Sequence, residues 1–223
     1  MIIALANANT LNICQTNSKA HVALNSCDLI LNDGIGLRLG AKMRNVSVPY
    51  NFNGTDLIPR LCLETPSKLK IFLYGGTEEA NMKASQTLSS RYPTVEMVGR
   101  VNGYVDQDGV APMIAASQAD LLLVCLGNPL QEIYLAENRD KFGVKVALGV
   151  GGLVDFLSAV KPRAPDWMRR FGLEWVFRLG LEPKRMAKRY LVGNPLFLFR
   201  CLTALGSDKK LQDIIMNEVE APR

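Results

Sequence analysis

The chain has 223 residues, 48% of them hydrophobic, and a formal net charge of +5. That length and composition suit one large domain, or a domain with an appendage, around a sizeable core. Five cysteines (Cys14, Cys27, Cys62, Cys125, Cys201) are scattered without a CxxC pair, which argues against a zinc site or a disulfide framework and fits a reducing compartment.

The positive charge is unevenly placed. Residues 161–210 carry 12 Lys or Arg against 4 Asp or Glu, so the C-terminal quarter is strongly basic and the rest slightly acidic. Such asymmetry implies an anionic partner: nucleic acid, acidic lipid or a polyphosphate substrate. No basic leader with a cleavage site opens the sequence, and no apolar run reaches the roughly 20 residues that span a bilayer. The only histidine, His21, falls in a predicted helix without a nucleophile motif, so hydrolysis through a histidine base is not indicated.

In chain order, residues 1–5 predict a short buried strand, followed by polar Asn7, Asn9 and Thr10 and one helix to about residue 24. Residues 29–32 are a second apolar strand that stops at Asn32-Asp33-Gly34. Asp33 then sits at a strand's carboxyl end, where open α/β sheets place their crevice. Two readings stay open: Asp33 caps the helix predicted over 35–43, or it serves as a general base. Residues 46–48 are a weak strand candidate, and Thr55 or Asp56 is the expected cap of a helix to about residue 63.

Residues 70–74 form a strand ending in Gly75-Gly76, and Thr77 caps the next helix. Residues 95–101 predict a strand, 110–117 a helix, and 120–126 the clearest strand of all. Gly127-Asn128-Pro129 opens a helix over 130–141, with Pro129 at its first position and Gln131 and Glu132 in its first turn. Residues 144–148 are the last strand and end in Gly149-Val150-Gly151-Gly152. The glycine turns, Gly75, Gly127 and Gly151 among them, can bring backbone amides to phosphate oxygens, but none forms G-x-G-x-x-G or a Walker A motif. Asp106-Gln107-Asp108 is either a metal-binding DxD or a hydrophilic turn.

The alternation implies an α/β fold: a Rossmann-like parallel sheet flanked by helices, with a basic C-terminal helical appendage. The expected division is residues 1–160 as catalytic core and 161–223 as a membrane- or acceptor-binding appendage. Prolines cut the latter into short helices, and residues 207–223 read as a frayed polar end. Trp167, Phe171 and Trp175 would share a helix face if Gly172 did not interrupt it. Arg178, Arg185 and Lys188 would do so if Pro183 did not. Aromatic anchors among arginines and lysines suit an anionic membrane surface, and equally a core stripe with a solvated basic face.

Together these stretches resemble the WecG/TagA/CpsF glycosyltransferases, glycosyltransferase family 26. The likeness runs through Asn7 to Asn12, Leu31 to Gly36, Asn53-Gly54-Thr55-Asp56, Tyr74-Gly75-Gly76, Gly127 to Glu132, Gly149 to Gly152, Arg163-Ala164-Pro165, Leu173-Glu174-Trp175, Arg178-Leu179, Glu182 to Arg185 and Arg189-Tyr190. The resemblance implies transfer of a glucose- or N-acetylmannosamine-type hexosyl group from a UDP-sugar donor to a polyprenyl-diphosphate-linked acceptor. The transfer would be inverting, without metal or other cofactor, at the cytoplasmic face of a bacterial membrane, to which the enzyme binds peripherally. It places the catalytic base on Asp33 and donor contacts on Gln131, with Glu132 beside it. Asn7, Asn9 and Thr10 fall at a polar site whose family threonine position holds Leu5. Asn51 stands where an arginine often precedes the family's G-x-D turn. Asn9-Thr10-Leu11-Asn12 and Asn32-Asp33-Gly34 favour the exopolysaccharide glucosyltransferase branch. Arg178, Arg185 and Lys188 are then expected on a diphosphate. Nucleic acid is not an expected partner of such an enzyme, and self-association is compatible with it. The competing class is a non-enzymatic membrane or nucleic-acid binding module built on the basic region.

Overall fold

A computed structural model describes residues 1–203. The first half of the chain alternates as the apolar runs require: β1 (Ile2–Ala6), α1 (Ala8–Cys14), α2 (Ser18–Asn25), β2 (Leu29–Asn32), α3 (Ile35–Met43), α4 (Gly54–Glu64), β3 (Leu69–Gly75), α5 (Glu78–Arg91) and β4 (Val95–Val101). It continues with α6 (Val110–Ala116), β5 (Leu121–Cys125), α7 (Leu130–Glu137), β6 (Val146–Gly149) and α8 (Leu153–Leu157). Four short helices follow, α9 (Asp166–Arg170), α10 (Glu174–Leu181), α11 (Pro183–Ala187) and α12 (Asn194–Thr203), with a π-helical turn over Lys188–Gly193 between the last two.

The six strands form one parallel sheet in the order β2-β1-β6-β5-β3-β4. Every residue of β5 is buried, as an unbroken apolar run in a two-sided parallel sheet must be. The fold is thus α/β and Rossmann-like, with the loops that follow β1, β2, β3, β5 and β6 leaving the sheet's carboxyl edge.

Chain contacts divide the molecule into two compact units. One comprises Met1–Leu5, Ser18–Leu29 and Asn53–Pro162; the other, among the described residues, Ala6–Asn17, Ile30–Phe52 and 163–203. The first is cored by Phe72, Tyr74, Leu122, Val124, Tyr134, Leu135 and their neighbours, with the Tyr74 and Tyr134 rings 5.0 Å apart. In the second, α12 packs on α1 and α3. Gly40 of α3 lies so close to Phe197 and Cys201 that a Cβ there would come within 2.7 Å of the Phe197 ring. Asn12 of α1 donates to the Gly193 carbonyl at 2.7 Å and accepts from Arg200 at 2.8 Å.

Several local expectations are corrected. The single helix expected up to residue 24 is two, because Gln15, Thr16, Asn17 and Ser18 form a polar run whose side chains compete for backbone groups; the Thr16 hydroxyl bonds the Ile13 carbonyl. Residues 46–48 are not a strand: Val46 donates its N–H back to Ala41, and Pro49 follows. Asn53, not Thr55 or Asp56, caps α4, its Oδ1 accepting from the Asp56 N–H at 2.9 Å. Pro129 precedes α7 rather than opening it, and that helix ends at Glu137. Gly172, at φ +70, ends the run from α9 before α10 begins, so Trp167 and Phe171 do not share a helix with Trp175. Pro183 likewise separates Arg178 from Arg185, and Lys188 falls in the π-helical turn; the three cations lie on three elements. The expectation for residues 207–223 lies outside the described residues.

Gly75 shows how closely the sheet's end is built. It has φ +122, and a Cβ there would stand 2.4 Å from the Cys125 carbonyl oxygen. Gly75→Ala is expected to destabilise the fold by about 2–4 kcal/mol, from strain plus a backbone clash. Gly109→Ala, where a Cβ meets nothing within 4 Å, should change stability by less than about 0.5 kcal/mol. Denaturant unfolding of the two variants beside the parent chain checks the contrast.

Candidate active site

Asp33 ends its strand in the way the apolar run implies, and its surroundings are set by three segments of one unit. Its N–H donates to the Ala6 carbonyl at 2.7 Å, the last ladder bond of β2 on β1. The chain then turns at Gly34, whose φ of +101 is open to glycine and costly for other residues. The Gly34 N–H donates to Asn51 Oδ1 at 2.5 Å, and the Phe52 N–H to the Asn32 carbonyl at 2.7 Å. Asn32, fully buried, donates to the Tyr50 carbonyl at 2.9 Å, while its own Oδ1 has no partner among the described residues. The 50–52 segment therefore fixes the turn from outside.

The capping reading of Asp33 is not what the fold uses. Gly34 is the N-cap of α3, and no side chain bonds that helix's first amides. The Asp33 carboxylate instead accepts from Asn7 Nδ2 at 3.3 Å. Asn7 is held for this task by a capping box. Its Oδ1 accepts from the Asn9 and Thr10 N–H groups at 3.1 and 3.2 Å, and Thr10 Oγ1 accepts from the Asn7 N–H at 3.2 Å. With its oxygen engaged at the head of α1, the amide nitrogen is left to point at Asp33.

Burial raises the Asp33 carboxyl above the usual aspartate range. The Arg178 guanidinium, the Asn7 hydrogen bond and the Arg189 guanidinium oppose that rise, and Glu174 adds to it. Arg178 pairs with Glu174 one turn earlier on α10, Nη2 to Oε1 at 2.6 Å. Arg189 lies over the Tyr190 ring at 5.5 Å, and Tyr190 meets Trp175 edge-on at 5.8 Å. The other two expected cations are elsewhere: Arg185 is exposed and bonds Glu182 at 3.2 Å, and Lys188 is exposed. Sequence reasoning gave no site role to Glu174 or Arg189; the Glu174–Arg178 spacing of four was the signal for the first.

In the other unit, Gln131 and Glu132 build a separate buried network. Gln131 Oε1 accepts from the Gly127 N–H at 3.2 Å and the Gly151 N–H at 2.9 Å, joining the turns after β5 and β6. Its Nε2 donates to Glu132 Oε1 at 2.9 Å, and Asn128 Nδ2 donates to the same oxygen at 2.5 Å. Glu132 Oε2 is buried without a partner among the described residues, and desolvation raises this carboxyl too. The positive φ at Gly127 and Gly151 suits these turns to glycine. Gly75 belongs to the β3 turn, whose neighbour Gly76 accepts from the Gly103 N–H at 2.8 Å.

Asp106 and Asp108 form a turn, Asp106 accepting from the Asp108 N–H at 3.3 Å. Among the described residues no three His, Cys, Asp or Glu side chains gather into a metal-binding group. No helix among them is long and apolar enough to cross a membrane.

The chain is 37% identical over 188 residues to an N-acetylglucosaminyldiphosphoundecaprenol N-acetyl-beta-D-mannosaminyltransferase of Bacillus subtilis (83% of this chain, 72% of the relative). It is 36% identical over 171 residues to the Bacillus spizizenii enzyme of the same name (76% and 66%), and 28% identical over 214 residues to that of Staphylococcus aureus (94% and 83%). A family model, Glycosyl transferase WecG/TagA/CpsF family, matches residues 1–210. With a match over nearly its whole length and relatives above 30% identity, the chain belongs to the WecG/TagA/CpsF family of glycosyltransferases.

Proposed function

We propose that this glycosyltransferase moves a hexosyl group from a UDP-sugar to a polyprenyl-diphosphate-linked glycan by one inverting displacement without a metal, with Asp33 as general base. The observation that carries this is the Asp33 carboxylate: desolvated, facing Arg178 and Arg189, and held by an asparagine whose other end is locked. A carboxylate whose proton affinity is raised while cations keep it ionisable is suited to accept a hydroxyl proton near neutral pH.

Asp33 takes the proton of an acceptor hydroxyl as that oxygen bonds to the donor's anomeric carbon. The bond from that carbon to the UDP oxygen breaks on the opposite face, and UDP leaves with the electron pair. One displacement inverts the centre, so no second nucleophilic carboxylate is needed. Charge growing on the departing diphosphate is met by arginine, Arg178 first. Gln131 and Glu132 hold the Gly127 and Gly151 turns in register, since the Gln131 oxygen accepts from both glycine N–H groups. Asn9, Thr10 and Asn51 act through Asn7 and Gly34.

The relatives named above are N-acetylmannosaminyltransferases acting on N-acetylglucosaminyldiphosphoundecaprenol, and we take an N-acetylmannosaminyl donor and such an acceptor as first substrates to test; a glucosyl donor is the second. The exposed Trp167, Phe171, Leu191, Val192 and Phe199, with exposed Arg170, Lys184, Arg185 and Lys188, support peripheral binding to an anionic membrane at the cytoplasmic face.

Asp33→Asn should lower kcat by about 10²–10⁴-fold while UDP affinity stays within about twofold; turnover retained in the variant rejects the base assignment. NMR of the product should show the anomeric configuration opposite to the donor's, with activity unchanged in excess chelator. Because the base must be ionised, kcat/KM should fall on acidification through a limb above the ordinary aspartate value of about 3.9. Arg178→Gln, which removes a cation that favours the anion, should move that limb higher. The stability sign follows from the same raised value: the stabilisation Asp33 gives when protonated is lost as pH rises through its folded pKa. Asp33→Asn should therefore have the higher Tm at neutral pH, with the gap closing towards pH of about 4.

A further inference from the structure

Beside the Asp33 turn, α3 and the segment after it enclose an open groove of about 600 Å³, all of it within one unit. Arg38 and Lys42 lie along it four residues apart, both exposed, and neither is in an ion pair with a carboxylate among the described residues. Ile35 and Leu39 run beside them with the same spacing and are 38% and 45% exposed. Val46 and Val48 form the opposite wall and pack on Ala41. Two cations beside an exposed apolar floor mark an interaction site rather than a plain solvated face. They are complementary to one kind of ligand: an anion with hydrocarbon attached.

We infer that this groove takes the diphosphate and first isoprene units of the lipid-linked acceptor. The inference rests on the proposed transfer reaction and deepens it. Such an acceptor presents its parts in a fixed order: reacting hydroxyl, sugar, diphosphate, hydrocarbon. The protein presents the matching groups in the same order. Asp33 stands just before α3. Arg38 follows the helix's first residue by about 4.5 Å of axial rise and Lys42 by about 10.5 Å, which leaves a sugar's length between base and cations. The apolar stripe of Ile35 and Leu39 accompanies the cations, so tail and diphosphate are held by one helix whose start carries the base. Register between the proton acceptor and the diphosphate is thereby set by a rigid element rather than by a loop. Arginine and lysine supply the charge-assisted hydrogen bonds that a diphosphate needs.

The test uses the full chain and farnesyl diphosphate, a short isoprenoid diphosphate without sugar. Arg38→Gln/Lys42→Gln should weaken its binding by about tenfold or more, since two charge-assisted contacts are lost, while UDP affinity and Tm hold. Leu39→Ser should weaken farnesyl diphosphate about fivefold and leave inorganic diphosphate unchanged, because only hydrocarbon contact is removed. In transfer assays in neutral detergent, the double variant should raise the acceptor KM by about the same tenfold with kcat within about twofold. Equal binding of farnesyl diphosphate by parent and double variant overturns the inference. So does a loss confined to anionic phospholipid vesicles, which would assign the groove to the membrane surface. Parent enzyme that transfers sugar while the double variant keeps its acceptor KM removes the groove and leaves the reaction standing. Parent chain that binds farnesyl diphosphate through Arg38 and Lys42 yet transfers nothing removes the reaction and leaves the groove.

Discussion

The structure around the candidate site depends on shielding one carboxylate from much of the water without leaving it alone. Desolvation of Asp33 favours its neutral form, and in a dry site an isolated charge would simply take up a proton. Arg178 and Arg189 hold it back from that end, and Asn7 adds a hydrogen bond. The balance leaves the carboxyl above its usual range but still opposed by two cations. The proposed general base would need such a compromise: too strong an ion pair would make it a poor base, too little would keep it protonated. Much of the neighbouring backbone serves this balance, from the capping box that orients Asn7 to the Asn51 bond that pins Gly34.

Glu132 makes the contrast. Burial raises its carboxyl as well, and two side-chain amides bond one of its oxygens, but no cation opposes the shift. A buried carboxyl met only by neutral donors has no opposite charge to offset its desolvation, and its two amide bonds hold it as a fixed polar post. Its partner Gln131 spends its oxygen on two glycine amides, which ties the β5 and β6 turns to each other. The two raised carboxyls differ in what faces them: arginines at Asp33, neutral amides at Glu132.

The sheet was legible because its strands are apolar runs that end in glycine. Residues 29–32 and 35–43 were read to the residue, and 95–101 as well. What was less legible depended on local competition or distant packing. Asn53 captured the cap of α4 from Thr55 and Asp56, each an equally good capping type. Gly172 and Pro183 divided the C-terminal helices, and with them the basic faces that an unbroken helix would have carried. Asp33 could be picked out as a carboxylate at a strand end, but not that Asn7 would reach it, nor that Arg178, some 145 residues later, would supply the opposing charge. Those facts are made by tertiary contact, and no window of sequence contains them.

Asn51 shows how a departure from a family pattern can be read physically. The resemblance implied an arginine at this position, a side chain with five donors and no acceptor. Here the residue's work is to accept: its Oδ1 takes the Gly34 N–H at 2.5 Å. Arginine could not make that bond, so the turn that presents Asp33 is steadied in this chain by an acceptor. Positive charge facing the carboxylate comes instead from α10 and the π-helical turn, through Arg178 and Arg189. The C-terminal segment, from Arg163 onward, is therefore part of what sets the proton affinity of Asp33, and a chain cut before it would keep the aspartate and lose the charges that keep it ionisable.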